Sequence, residues 1–288
     1  MKRSLLFATL GCAAACAGGY SNAGTPAAPA PVATTRAVAG AARLFLAPAT
    51  VHYLVRQDVH IQQDYAGLPP TMHLGYGLYL TATIAGPADS AGFLTRFTVD
   101  SVKVDSGSQF PPQINIAAAK GYRVTGRLTP TGEFTNPIPS DSNAAAMLGN
   151  LLPRFRSFLP RLPSGGARPD TTWTDSTTTT EAAGGSTITT HVLSRRAATT
   201  WEDRGSVRAL RIEISATYQF SGTGEQGGAA FTIDGSGMGN GIQYLATDGR
   251  YLGGESHDST NLTIDLPLQG ISIPRRQTAN TTVTLLTP

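Results

Sequence analysis

The chain has 288 residues, of which 14% are charged, with 32 Gly and 19 Pro, against roughly a quarter charged in an ordinary soluble domain. Its formal charge is +3, and Lys2 and Arg3 supply two of those charges, so the remainder lacks the basic surplus that nucleic-acid binding requires. The length suits one all-β domain, and the many Thr, Gly and Pro residues favour strands and turns over surface helices.

Lys2 and Arg3 precede an apolar run over residues 4 to 15 (SLLFATLGCAAA). It is too short to span a bilayer and is built like a signal peptide, which belongs outside the fold. No later segment holds the twenty or so uninterrupted apolar residues of a spanning helix. Both cysteines, Cys12 and Cys16, lie in this leader, so the rest of the chain forms neither a disulfide nor a thiolate metal site. The stretch Ala13-Ala14-Ala15-Cys16 resembles a bacterial lipobox, which makes Cys16 the candidate lipidation site and Cys12 its rival. Leu usually stands three positions before the cysteine in such boxes, whereas Cys16 has Ala13 there and Cys12 has Thr9. The alternative is ordinary cleavage at Ala15-Cys16-Ala17, which releases the protein. The expected organisation is a signal peptide over 1–16, a flexible Ala/Pro/Gly-rich tether over 17–48 with few side chains to bury, and a single antiparallel β domain over 49–288.

In that domain apolar residues alternate as they do in strands half-buried against a core. Weaker alternation over 49–64 leads to a clear case at 72–84, where Met72, Leu74, Tyr76, Leu78, Leu80, Ala82 and Ile84 share one face. Runs at 93–105 and 121–128 follow. Residues 141–159 read as a helix, because Met147, Leu148, Leu151, Leu152, Phe155, Phe158 and Leu159 recur at helical spacing after candidate caps Ser140 and Ser142, with Pro153 as a kink. Alternation resumes at 171–180 and 186–201, is strong over 206–220 (Leu210, Ile212, Ile214, Ala216, Tyr218 and Phe220 on one face), and continues at 229–247, 250–266 and 276–286. The total is about ten strands. Asp248-Gly249 suits a tight primed turn, and Gly184-Gly185 and the loop at 221–228 do similar work, so neighbouring strands pair antiparallel. Gly235, Gly237, Gly239 and Gly241 continue the face of Phe231 and Ile233, leaving it bare of side chains; the sheet bends there, or a helix or apolar ligand comes close.

The "GYRVTGRLTPTGEF" hairpin, the apolar helix and the "FLPRLP…W" return together resemble the half-barrel of bacterial lipoprotein carriers and related exported proteins, over residues 49 to 286. The fold class is mainly β: a long curved antiparallel sheet, a half-barrel or open barrel, with one inserted helix near 141–159. What the resemblance implies is a sheet wrapped around the helix, leaving an apolar cavity for acyl chains.

Signatures of chemistry are sparse. "GTGEQG" at 222–227 matches the dinucleotide glycine pattern, but a strand and not a helix follows it, so Gly222, Gly224 and Gly227 read as hairpin-loop glycines. His52, His60, His73, His191 and His257 lack the i, i+4 or His-x-His spacing that puts two ligands on one metal; no metal and no cofactor is expected. Glu255 and His257 share a strand face beside Asp258, so a carboxylate could orient an imidazole, though no nucleophile or oxyanion donor accompanies them. Trp173 and Trp201 read as core anchors.

The expectation is a noncatalytic, exported envelope lipoprotein, lipid-anchored and facing the periplasm. Its partners are the membrane, through the anchor, and an apolar small molecule or an envelope protein, with no nucleic acid. Ligand-cavity candidates are Phe155, Phe158, Phe231, Ile233, Gly235, Gly237 and Gly239. The alternatives are a structural or adhesive envelope protein and a hydrolase using Glu255 and His257.

Overall fold

A computed structural model describes residues 43–64, 69–89, 92–110, 116–142, 144–145, 155–183, 186–226 and 229–286. Eleven strands run in chain order: β1 (Ala49–Gln63), β2 (Thr71–Asp89), β3 (Gly92–Val104), β4 (Arg123–Leu128), β5 (Phe134–Pro139), β6 (Thr171–Ala183), β7 (Ser186–Arg204), β8 (Val207–Gln226), β9 (Ala229–Ala246), β10 (Tyr251–Leu266) and β11 (Ile271–Leu286). They form one antiparallel sheet in the order β5-β4-β3-β2-β1-β11-β10-β9-β8-β7-β6. Every strand pairs with its neighbours in sequence except at two places. β1 and β11 close on each other, His52 opposite Leu286 through Gln63 opposite Arg275, so the first and last strands lie mid-sheet. β5 and β6, consecutive in the chain, are the two edges, and the sheet stays open between them.

Period-two patterning explains which face turns inward. Val51, Tyr53, Val55, Val59 and Ile61 of β1 are buried, as are all seven residues of the β2 face from Met72 to Ile84. Leu210, Ile212, Ile214, Ala216, Tyr218 and Phe220 of β8 are buried as the alternation predicts. The main core joins these to Phe93, Phe97, Val99, Leu128 and Phe134, while Val59, Ile61, Met72, Leu74 and Ala279 form a separate, smaller cluster. The inner face of β10 and β11 is different, because Ser256, Asp258, Thr260, Arg275 and Gln277 are buried there. Asp258 is 1% exposed and its Oδ1 accepts the Tyr218 hydroxyl at 2.8 Å across β9, as a buried carboxylate requires. On the neighbouring strands the Tyr76 hydroxyl donates to Gln57 Oε1.

Three sequence expectations need correction. β5 lies outside the ten expected strands; it carries Pro137 and Pro139, which remove ladder donors, and it survives because it is short and at an edge. β8 runs to Gln226, so Gly222 and Gly224 are strand residues facing Ile233 and Phe231 of β9 and not loop residues; a Cβ on Gly224 would stand 2.5 Å from the Phe231 ring. The β9–β10 connection is not a two-residue primed turn, which needs positive φ at both central residues. Only Gly249 is positive (φ 85°), and its N–H donates to Ala246 O at 3.0 Å, a turn of the type I plus bulge kind.

Of the helix expected over 141–159, residues 143 and 146–154 lie outside the described residues. The described ones complete no α-helix: Ser142, Ala144 and Ala145 are helical, and Phe155–Ser157 turn. The cap is neither Ser140 nor Ser142 but Asp141, whose Oδ1 accepts Ala144 N–H at 3.0 Å. Gly184-Gly185 and Gly227 also lie outside the described residues, as do Cys12 and Cys16. No helix among the described residues is long and apolar enough to cross a membrane.

Candidate functional site

The open side of the sheet holds a cleft of about 380 Å³. Its walls come from both edges and differ in chemistry. From β4, β5 and the turn before β4 come Val124, Phe134, Pro137 and Tyr122, an apolar wall backed by the core. From β6 and β7 come Asp175, Thr177, Thr179, Ser194 and Arg196, a polar one. The register pairs Trp173 with Arg196, Asp175 with Ser194 and Thr177 with Val192, so alternation delivers this polar set to the concave side.

The chain between β5 and β6 returns across the cleft and stitches the edges together. Phe158 and Leu159 are buried, and the Phe158 ring meets Tyr53 at 5.4 Å, Phe97 at 5.6 Å and Tyr251 at 6.0 Å, distances usual for edge-to-face aromatic pairs. Arg161 reaches Asp175 on β6 at 3.3 Å and Glu133 beside β5 at 3.7 Å, while its carbonyl accepts the Trp173 indole N–H at 3.1 Å. Arg156, Arg161 and Arg196 thus line the cleft against Glu133 and Asp175, a local excess of positive charge. Burial, and then the Asp141 carboxylate, push the Tyr122 phenol above its ordinary pKa, so it is a neutral donor at the apolar wall.

The sequence-predicted cavity residues divide. Phe155 lines the cleft and stacks on Phe97 with centroids 5.1 Å apart. Phe158 fills the core beneath it. Phe231 and Ile233 are buried on β9. At Gly235 the room for a Cβ is taken by Asn261 O at 2.4 Å, and at Gly237 by Ser259 O at 2.7 Å. Both obstacles are backbone of the adjacent β10, so these glycines permit close approach of the two strands. Gly239 lies between them and Gly241, opposite Ala216 and Asp258.

Glu255 and His257 point to the outer face, away from the cleft, and Asp258 points inward. His257 Nδ1 meets Asn280 Oδ1 at 2.7 Å, and among the described residues no hydrogen bond links His257 to Glu255, so the carboxylate does not orient the imidazole. The feature that sequence reasoning missed is the polar wall. Its signal was present as Asp175, Thr177 and Thr179 alternating on β6, a strand with no matching apolar face.

No protein-family model matches the chain, and no curated protein does. Among solved structures, OccK2 (OpdF) of Pseudomonas aeruginosa is similar over 85% of this chain and 100% of that one, at 7% identity and a TM-score of 0.26.

Proposed function

We propose that the protein is a noncatalytic envelope carrier that takes an acidic amphiphile, such as a fatty acid or an anionic lipid, into the cleft between β5 and β6. The observation that carries this reading is the two-sided lining. Phe134, Phe155, Val124 and Tyr122 offer an apolar wall, and Arg156, Arg161 and Arg196 with the Thr-rich β6 offer a cationic, hydrogen-bonding one. Mostly apolar pockets with a few placed polar groups suit small ligands that have a head and a tail. The basic start, the short apolar run and Cys16 support export and lipid anchoring; Leu44 and Leu46, expected in the tether, are instead buried in the core and hydrogen-bonded to Ala167 and Pro130, so the tether is residues 17–42.

Native mass spectrometry of the full-length protein, gently extracted from its membrane fraction, tests the carriage. The expected result is a bound anionic lipid, displaced by a long-chain fatty acid. A protein that carries nothing and takes up no fatty acid contradicts it. Anchoring is tested separately: Cys16→Ser, or globomycin, should leave a larger, unprocessed chain.

A further inference from the structure

The outer face of β1 and β2 brings together three groups that the sequence holds apart. His60 on β1 and His73 on β2 are directly opposed, and their rings stack with centroids 4.7 Å apart and planes 22° from parallel. Asp58, two residues before His60 and so on the same face, sets its carboxylate between them, with Oδ1 2.8 Å from His60 Nε2 and Oδ2 3.4 Å from His73 Nε2. One ligand atom from each residue lies within 4.8 Å of the other two. Ligands about 2.0–2.1 Å from a tetrahedral zinc ion stand roughly 3.3 Å from one another, so closing the trio on an ion takes side-chain rotation and no backbone shift.

The surroundings hold this geometry. Gly75 faces Asp58 across the strands, and its lack of a side chain lets His73 and Asp105 close in; a Cβ there would meet His73 Cε1 at 3.3 Å and Asp105 Oδ2 at 3.1 Å. The turn after β3 clamps the same stretch, with Asp105 N–H donating to Gly75 O at 2.9 Å and Gln109 N–H to His73 O at 2.8 Å. Asp105 itself pairs with Arg56 at 2.9 Å, which neutralises that neighbouring guanidinium. Asp58 Oδ1 and His73 Nε2 are shut off from solvent yet out of line for hydrogen bonds. A hydrogen-bonded ion pair leaves no such pair of atoms idle, whereas a cation, which needs no donor angle, would satisfy both.

We infer that Asp58, His60 and His73 form a binding site for a borderline divalent transition-metal ion, zinc being the reference case. Two imidazoles and one carboxylate suit Zn²⁺, Ni²⁺ or Cu²⁺, while Ca²⁺ and Mg²⁺ favour all-oxygen sets. Three protein ligands on an open face leave a coordination position for water or for a group from another molecule. The sequence spacing hid the site because the second histidine arrives from the neighbouring strand.

Equilibrium dialysis of the metal-free, full-length protein against Zn²⁺, with Co²⁺ absorption as a second readout, tests the assignment. One ion per chain is expected, with affinity lowered at least tenfold in His60→Ala, His73→Ala and Asp58→Asn, and unchanged in His52→Ala and His257→Ala. All five positions lie on the outer face, and matching thermal unfolding of the metal-free variants confirms that each folds. A wild-type chain that takes up no ion, or an ion lost equally from the His52 and His257 variants, overturns the inference.

Discussion

Replacing Phe97 with Ala removes the ring that ties the open edge to the rest of the sheet. Phe97 projects inward from β3, is 0% exposed, and meets Phe134 of β5 at 5.3 Å, Phe155 at 5.1 Å and Phe158 at 5.6 Å. Truncating a buried Phe to Ala costs about 3–5 kcal/mol. Three aromatic contacts, each contributing roughly 0.5–1.5 kcal/mol beyond area, place this case in the upper half of that range. For a domain of this size about 4 kcal/mol corresponds to a fall in Tm of roughly 8–16 °C. Urea unfolding should show the midpoint fall with the slope unchanged. Leu94→Ala is the matched control, since Leu94 sits on the same strand but is 47% exposed on the outer face; it should change stability by less than about 1 kcal/mol. Equal losses from the two variants, or a Phe97→Ala loss below about 1.5 kcal/mol, would refute the assigned face of β3 and the packing of the returning chain beneath the cleft.

Gly237→Ala should destabilise by at least about 2 kcal/mol in the same unfolding assay, because the new methyl meets Ser259 O at 2.7 Å and a paired strand cannot withdraw; wild-type stability would show that β9 and β10 are not so close. Tyr218→Phe should lose about 1–3 kcal/mol, since it strips the 2.8 Å donor from buried Asp258, and an unchanged midpoint would mean that the carboxylate does not depend on it. Stability should also fall above about pH 10: burial raises the phenols of Tyr53 and Tyr76 well above their ordinary value. They stay protonated in the folded chain after the unfolded chain has begun to ionise. Their contribution is therefore whole below the unfolded tyrosine pKa near 10 and declines above it, by on the order of 1 kcal/mol per pH unit for each. Thermal unfolding between pH 9 and 11.5 checks this, and a flat profile would contradict it.

The sheet was legible because burial on one side writes itself into the sequence with period two. The faces of β2 from Met72 to Ile84 and of β8 from Leu210 to Phe220 followed from alternation alone. β5 escaped because Pro137 and Pro139 mimic a loop, and the length of β8 was underestimated because Gly222 and Gly224 carry no side chain to show the period. The cleft was less legible than the core. Its apolar half was visible in Phe155, but its polar half lies on β6 and β7, where the open cleft tolerates Thr, Ser and Asp and so erases the alternation. Contacts between strands were not legible at all. His60 with His73, and Tyr218 with Asp258, depend on register, which local pattern does not encode.

Uptake of a fluorescent fatty acid by the wild-type protein and by Val192→Trp tests the central claim most directly. Val192 lines the cleft, half-buried at the edge of the core, so an indole there extends into ligand space. The account predicts saturable binding in the wild type and at least a tenfold loss in the variant, measured at a temperature where thermal unfolding shows both proteins fully folded. Equal uptake by both proteins would contradict it, as the amphiphile would then be held somewhere other than between β5 and β6.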